Sequence, residues 1–364
     1  MAIAHINGIG TAVPEHDIHQ PITAVMRTML PDQRTRQVFD RMAERSGIGH
    51  RYSFLRADGQ GNEQEVDASG FYPRGNFPST GARMALYETE ALRLAIRAVE
   101  ALKSEIPTDL LDGITHLVVA SCTGFSAPGL DLQLVTNLGL RPDVQRTLIG
   151  FMGCSAAVPA LRVAYQAVQT NPDARVLVVN LELCSLHLQE TADLNCLLSL
   201  MLFGDGASAA LVTAQPTGIA MLDFLAIIIP DSSDLITWHI GDRGFNMHLS
   251  GEVPKRINQT LREEMKQADA NKILRGKQVK DFDLWAIHPG GRSVLDAVET
   301  GLGLTSTDLS SSRRILHDYG NMSSATIMFV LQDMLHQHHQ EARGLAMAFG
   351  PGMVAETFRF QMAA

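Results

Sequence analysis

Residues 148–168, LIGFMGCSAAVPALRVAYQAV, run from a short apolar stretch through a glycine and a cysteine into a helical pattern. The strand pattern ends at Gly153, and small and apolar residues at helical spacing follow Cys154 directly. This order predicts a thiol at a strand-to-helix turn, near the positive end of the helix dipole, where the pKa of a thiol is lowered. The stretch therefore indicates a layered α/β fold with a nucleophilic cysteine at a turn, and a small buried hydrophobic residue is the alternative.

The same alternation of strands and helices extends over the rest of the chain. Apolar runs predict strands, and apolar residues at helical spacing predict helices. In the first half we expect strands at 115–121, 174–181 and 207–213 and a helix over 88–103. In the second half we expect strands at 218–229, 283–287, 344–349 and 353–360, and helices over 253–268, from 291 and from 323. The pattern predicts two similar halves, residues 1–216 and 217–364.

Composition narrows the class of protein. The chain has 364 residues, of which 45% are hydrophobic and 19% charged, as in folded globular proteins. Lys and Arg number 30 against 39 Asp and Glu, a formal net charge of −9, and no basic run occurs, so nucleic-acid and anionic-membrane partners are not expected. The longest apolar stretch, 194–203, is too short to span a membrane.

The cysteines and histidines give little sign of a redox or metal site. The four cysteines form no CxxC pair, so we expect reduced thiols and a cytoplasmic location. No GxGxxG follows a predicted strand, which disfavours a nucleotide redox cofactor. His336 and His339 in HQHHQ lie one helical turn apart, but the polar face of a last helical turn is expected, and no metal.

Two further polar residues occupy places similar to that of Cys154. His288 ends a predicted strand in DFDLWAIHPGGRSVLD, and Asn321 precedes a predicted helix in HDYGNMSSATIMF. Taken alone, His288 would be a structural histidine and Asn321 a helix N-cap. Taken together with the thiol, they supply a nucleophile and two donors for the negative charge that develops on a thioester carbonyl oxygen.

Five blocks of sequence, in order, carry a resemblance to a known family. The chain resembles the thiolase-like condensing enzymes and, within them, the type III polyketide synthases through GFMGCSAA, LFGDGASAA, WAIHPGG, YGNMSSAT and AFGPGMVAETF. The HPGG and GNMSS blocks favour this class over ketoacyl-ACP synthases III, and the lack of a cysteine after Cys196 disfavours biosynthetic thiolases. The resemblance implies a thiolase-like layered αβαβα fold built from two similar halves.

The resemblance also implies a mechanism. Cys154 would take an acyl starter from its CoA thioester and hold the growing chain. His288 would keep the Cys154 thiolate charged and, with Asn321, would bind the malonyl-CoA carbonyl as decarboxylation turns it into an enolate. Phe203 would be the gatekeeper aromatic between a CoA tunnel and the reaction chamber. No cofactor is implied besides the CoA thioesters that serve as substrates.

Further positions follow from the same resemblance. Met247 stands where chalcone synthases have a second gatekeeper Phe, and Trp238 stands where they have a small glycine, so the cavity should be smaller or redirected. The other implied chamber residues are Cys122, Thr123, Cys184, Leu186, His187 and Ser323. The implied CoA-binding residues are Arg41, Arg45, Arg292, Gly290, Gly350, Pro351 and Gly352.

Assembly and product are implied in the same way. Family members are homodimers, and Ala127 stands where a residue, commonly Met, reaches into the partner's chamber. The block LELCSLHLQ resembles bacterial alkylpyrone and alkylresorcinol synthases, so we expect a fatty-acyl starter and a pyrone or resorcinol product. The alternatives are an aromatic or malonyl starter, a single-condensation ketoacyl synthase served by a carrier protein, and a catalytically silent acyl-CoA-binding homologue.

Overall fold

The computed structural model describes residues 2–57, 66–107, 110–266, 269–337 and 341–363. The strands within these residues are β1 (Ala4–Ala12), β2 (His16–Asp17), β3 (Tyr52–Ser53), β4 (His116–Ser121), β5 (Gln145–Gly150), β6 (Val176–Leu183), β7 (Asp205–Thr213), β8 (Ile219–Ile228), β9 (Ile236–Gly241), β10 (Gly244–Leu249), β11 (Leu284–Ile287), β12 (Arg343–Gly350) and β13 (Val354–Met362). The α-helices are α1 (His19–Met29), α2 (Gln33–Glu44), α3 (Thr80–Glu105), α4 (Leu130–Asn137), α5 (Ala157–Thr170), α6 (Leu194–Leu200), α7 (Val253–Glu264), α8 (Arg292–Leu302), α9 (Ser310–Tyr319) and α10 (Thr326–His336).

A mixed nine-stranded sheet, ordered β11-β12-β13-β8-β1-β7-β6-β4-β5, runs through the molecule. In its first half the parallel pair β4 and β6 is followed by the antiparallel strands β7 and β1. In its second half the parallel pair β11 and β12 is followed by the antiparallel strands β13 and β8. The halves join where β1 pairs with β8 over only three residues, Ala4–Ile6. The predicted α/β class with two similar halves is confirmed.

Side chains alternate between the two faces of the sheet, and both faces are buried. Val118 of β4 packs in a core shared with α5 and α10, whereas its neighbour Leu117 packs with α3 and α4. Along β12, Ala346 faces the same central core, whereas Leu345 packs with α7, α8 and α9. Helices α5 and α10 therefore lie between the two halves of the sheet, and the other helices cover the outside, which gives five layers.

Some elements differ from those that the pattern predicts. The helix predicted over 88–103 begins earlier, because the Ser79 hydroxyl caps it by accepting the N–H of Ala82 at 3.3 Å. The helix predicted over 253–268 ends at Glu264, and residues 267–268 lie outside the described residues. The β9–β10 hairpin is not predicted, because its Asp-Arg turn carries no hairpin signal. In the described part of the chain, no helix has the length and apolar character that spanning a membrane requires.

Candidate active site

Cys154 lies in a one-turn 3-10 helix between β5 and α5. The chain reverses through two residues with left-handed backbone, Phe151 at φ 54° and Gly153 at φ 59°. Gly153 is required there, because a side chain would also overlap the ring of Pro351. The N–H of Gly153 donates to Sγ of Cys122 at 3.0 Å. These contacts hold Cys154 at a strand end, where the sequence predicts it.

The structure brings Cys154, His288 and Asn321 together around an inner cavity of about 60 Å³. The Asn321 amide lies 3.9 Å from Sγ of Cys154. Its orientation is fixed, because Oδ1 accepts the N–H of Ser323 at 2.8 Å and Nδ2 donates to the Gly290 carbonyl at 3.1 Å. His288 is 2% exposed, and neither of its ring nitrogens has a hydrogen-bond partner among the described residues. The imidazole is therefore free to bond a group that enters the cavity.

Burial dominates the electrostatics of the thiol and the imidazole. It raises the pKa of Cys154 to about 11 and lowers the pKa of His288 to about 3, because desolvation disfavours the charged form of each. Hydrogen bonds from the side chains of Ser323 and Asn321 lower the pKa of the thiol, but by less. The lowered thiol pKa expected from the helix N-terminus is therefore wrong for this structure. At neutral pH both groups are uncharged.

A buried acid that no motif marked out supports the site from behind. Glu182, near the end of β6, accepts the Cys122 N–H and the Thr123 hydroxyl, both at 2.9 Å, and the Ser324 hydroxyl at 2.6 Å. Burial raises the pKa of this carboxyl group to about 7. Glu182 thus ties the strand end at Cys122 to the loop after Asn321. The available signal was an acidic residue inside the apolar run VLVVNLEL.

Seven of the nine implied chamber residues line the inner cavity: Phe203, Met247, Trp238, Cys122, Thr123, Cys184 and Ser323. Trp238 and Met247 pair across the β9–β10 hairpin. The indole Nε1–H of Trp238 donates to the Cys122 carbonyl at 3.0 Å, which fixes the ring in the wall. The hairpin therefore forms one side of the chamber wall.

Leu186 and His187 do not line the cavity, contrary to the expectation. Leu186 is fully buried in the core beneath α3. His187 stacks on Phe245 with ring centroids 4.1 Å apart and accepts the Phe245 N–H at Nδ1, so its Nε2 donates to the Thr123 carbonyl at 2.7 Å. Burial lowers the pKa of His187 to about 3. Both residues support the wall from the layer behind it.

An outer cavity of about 750 Å³ adjoins the inner one, and Gly290 is among the residues that line both. Residues 198–203, called here the partition, lie between the two cavities. Leu200 and Phe203 of the partition line the inner cavity, whereas Met201 and Leu202 line the outer one. Phe203 therefore lies where the resemblance implies a gatekeeper.

The implied CoA-binding residues divide between the two cavities. Arg45 and Arg292 line the outer cavity, Gly350 and Pro351 line the inner one, Gly290 lines both, and Arg41 and Gly352 line neither. Asp296 also lines the outer cavity and lies 3.6 Å from Nε of Arg292, so part of the positive charge at this rim is balanced. Two guanidinium groups nevertheless face the outer cavity, the side-chain type best suited to phosphate.

Of the histidines in HQHHQ, the structure describes His336, and it takes no part in a metal site formed by described residues. His336 lies 3.0 Å from a Glu105 carboxylate oxygen on the surface, and His339 lies outside the described residues. Among residues 2–57, 66–107, 110–266, 269–337 and 341–363, no group of three or more His, Cys, Asp or Glu side chains is arranged to hold a metal ion.

Known proteins match over both halves of the chain. The family of chalcone and stilbene synthases matches with its N-terminal domain over residues 2–216 and its C-terminal domain over residues 221–363. PKS-I from the brown alga Ectocarpus siliculosus is 29% identical, with 100% of this chain and 99% of that chain covered and a TM-score of 0.85.

Two further solved structures are similar over their whole length. The C-terminal type III polyketide synthase domain of Steely1, a type I/III hybrid from Dictyostelium, is 25% identical, with 100% of each chain covered and a TM-score of 0.88. A mutant of CsyB in complex with CoA-SH is 25% identical, with 99% of this chain and 100% of that chain covered and a TM-score of 0.84. The resemblance in the sequence is confirmed: the chain belongs to the chalcone and stilbene synthases, the type III polyketide synthase family of acyltransferases with a thiolase-like fold.

Proposed function

We propose that this chain condenses malonyl-CoA iteratively onto an acyl-CoA starter, with Cys154, His288 and Asn321 as its catalytic residues. The observation that carries the proposal is the inner cavity, where a thiol, an unpartnered imidazole and an oriented amide meet. The outer cavity with Arg45 and Arg292 is the proposed route for CoA, and the phosphates would lie against these guanidinium groups. We also propose the division into halves at residue 216, and CoA thioesters as the only small molecules that the reaction needs.

Loading begins with a proton transfer. Sγ of Cys154 gives its proton to the His288 imidazole as the sulfur attacks the thioester carbonyl of the starter. The carbon–sulfur bond to CoA then breaks, and the CoA thiolate takes the proton back from His288. Because the thiol pKa is about 11 and the imidazole pKa about 3, the ion pair is not formed in advance. Proton transfer is therefore coupled to the attack.

Extension uses the two donors. One Nδ2–H of Asn321 bonds the Gly290 carbonyl, and Nδ2 also donates to Sγ of Cys154 at 3.9 Å. A malonyl-CoA carbonyl oxygen that enters beside this sulfur would accept from that second N–H and from Nε2–H of His288. The bond to the carboxylate breaks, carbon dioxide leaves, and the electron pair becomes an enolate stabilised by both donors. The enolate carbon attacks the Cys154 thioester and expels the thiolate. The β-ketoacyl-CoA, two carbons longer, then reloads Cys154 for the next round.

The shape of the chamber bears on starter and product. Apolar side chains such as Leu200, Val253 and Phe349 dominate the lining, which supports the proposed fatty-acyl starter and a pyrone or resorcinol product. The volume of about 60 Å³ is well below the ~300 Å³ and more of usual ligand pockets. An alkyl chain therefore fits only if part of the wall moves outward, and the hairpin that carries Trp238 and Met247 is the part that we propose. The small volume favours a second candidate, a single-condensation synthase.

We further propose a homodimer that forms along β5, in the cytoplasm. β5 is the last strand of the sheet, and its outer edge has no partner among the described residues. Three apolar side chains near this edge are 36–42% exposed: Phe125, Leu132 and Leu148. An unpaired strand with exposed apolar neighbours is a surface on which a second copy can pair by two-fold symmetry.

The experiment is an incubation of the purified protein with malonyl-CoA and starters from acetyl through long-chain acyl to aromatic CoA, read by mass spectrometry. Triketide or tetraketide products support the proposal and identify the starter class. A β-keto product of one step only would establish the single-condensation synthase. No product and no acylation of the protein would contradict both and leave an acyl-CoA-binding homologue.

A further inference from the structure

Arg51 is a fully buried arginine whose guanidinium group reaches the partition. Its Nη1 donates to the carbonyls of Phe203 at 2.8 Å and Leu200 at 3.5 Å. Its Nε donates to Nδ1 of His19 at 3.0 Å, and its Nη2 to the hydroxyl of Thr23 at 3.3 Å. One side chain thus anchors the last turn after α6 to helix α1.

The stem of Arg51 packs against the backbone that carries Asn321. A Cβ on Gly320 would lie 2.7 Å from Cγ of Arg51, and a Cβ on Gly204 would lie 3.4 Å from its Cβ. These two glycines flank a pair of hydrogen bonds, each 2.9 Å, from the Asn321 N–H to the Leu202 carbonyl and from the Gly204 N–H to the Asn321 carbonyl. The partition and the segment of Asn321 are therefore bonded to each other beside Arg51.

The charge of Arg51 is held without an ion pair to any residue that the structure describes. Burial lowers its pKa to about 10, and the carboxylates of Asp17 and Asp205 offset this only in part. The group stays protonated at neutral pH, and no carboxylate of the described residues lies within ion-pairing distance of it. Carbonyl oxygens at the end of α6 take that place, at the negative end of the helix dipole. Burial of a cation whose partners are carbonyls, a ring nitrogen and a hydroxyl costs stability. We therefore expect the hydrogen bonds of Arg51 to be needed at this place in the fold.

We propose that Arg51 is a positioning residue that fixes both the Phe203 side chain between the two cavities and the Asn321 backbone beside Cys154. It acts through the partition and touches no reacting atom. An arginine suits this role because its planar fork reaches the Phe203 and Leu200 carbonyls and the Thr23 hydroxyl at once, whereas the point charge of a lysine reaches fewer acceptors. The effect on condensation rests on the proposed function, whereas the effect on access to Cys154 does not.

The test uses full-length Arg51→Lys and Arg51→Met with two readouts. The first is the rate at which iodoacetamide and a bulky maleimide label Cys154, measured on the isolated peptide. We expect the ratio of bulky to small labelling to change at least severalfold in both variants. The second is condensation, where kcat should fall roughly 10- to 100-fold while KM for malonyl-CoA changes little, since small misplacements of reacting groups act on the chemical step.

Arg275→Lys is the control: the Arg275 side chain is 7% exposed, donates to the Ile273 and Thr357 carbonyls, and pairs with Asp223 at 3.0 Å, and it lines neither cavity. It should lower the melting temperature without changing either readout. If the Arg51 variants behave like this control, the positioning role is wrong. If Arg51→Met does not fold, Arg51→Lys decides alone. If the wild type shows no condensation and the labelling ratio still changes in the Arg51 variants, the positioning role is supported and the proposed function is contradicted.

Discussion

At the residue scale, the protonation states of Cys154 and His288 decide how the proposed reaction would start. Burial holds the thiol pKa near 11 and the imidazole pKa near 3, so the neutral pair is present between about pH 4 and 10. The rate of Cys154 alkylation by iodoacetamide should therefore rise roughly tenfold for each pH unit from 7 to 10, since the thiolate reacts.

His288→Ala is the control for this measurement. Because the imidazole is already uncharged, its removal should leave the slope of the pH profile unchanged. A plateau reached below pH 8 in the wild type, and lost in the variant, would instead show a preformed thiolate–imidazolium pair.

Glu182 gives a second prediction at this scale, on stability. Its pKa is raised from 4.5 to about 7, so between these values the folded state holds a proton that the unfolded state has released. Stability from this group is therefore present below pH 4.5 and falls by up to about 3 kcal/mol as the pH rises to 7. Glu182→Gln removes this dependence.

The comparison is made by thermal unfolding of wild type and Glu182→Gln at pH 5 and pH 8. The advantage of the wild type over the variant should be smaller at pH 8 by an amount of that order. Glu263→Gln, at an exposed position on α7, serves as the control, and an advantage that does not change with pH would contradict the assigned pKa.

The sequence contains the catalytic candidates but not their environment. Cys154, His288 and Asn321 each stand next to a predicted strand or helix end, so their convergence could be predicted from topology. The direction in which the thiol pKa shifts could not be predicted, because the burial of Cys154 depends on residues that are distant in the sequence. For the same reason Glu182 was missed, since the sheet brings it to Ser324, 142 positions away.

At the element scale, the β9–β10 hairpin limits the inner cavity. Trp238→Gly removes an indole from the wall and its bond to the Cys122 carbonyl, so the chamber should widen. We expect the kcat/KM for long-chain relative to acetyl starters to rise roughly tenfold or more, the size of effect that pocket volume produces. Product profiles by mass spectrometry measure this.

Met247→Leu is the control on the facing strand, because it nearly conserves volume and should change the starter profile little. Equal profiles for Trp238→Gly and wild type would show that the hairpin does not set starter size. The sequence predicts β4, β6 and β7, because each is a long apolar run typical of a buried strand. It does not predict the hairpin, because β9 and β10 are short and are joined by a polar turn.

At the scale of the whole molecule, the proposed dimer places two copies edge to edge along β5. Leu148→Lys adds a charge to the centre of this edge and should shift the mass in light scattering from dimer to monomer. Met265→Lys, at an equally exposed apolar residue at the end of α7, should leave the mass unchanged. A wild type that is already monomeric would contradict the dimer.

The two similar halves were predictable because strand and helix patterns recur in both, and the five-layer arrangement was implied by the family resemblance. The division of the implied CoA-binding residues between the two cavities was not predictable. Gly350 is the last residue of β12 and Pro351 follows it, and this strand ends at the inner cavity rather than the outer one. A residue's place on one side of the partition depends on packing between the halves, which no local pattern contains.

Peptide mass spectrometry after a brief exposure to an acyl-CoA starter tests directly whether Cys154 is the nucleophile. We expect the starter acyl group on Cys154 and on none of Cys122, Cys184 and Cys196, and no condensation with malonyl-CoA in Cys154→Ala. Full condensation by Cys154→Ala, or an acyl group carried by another cysteine, would contradict this assignment.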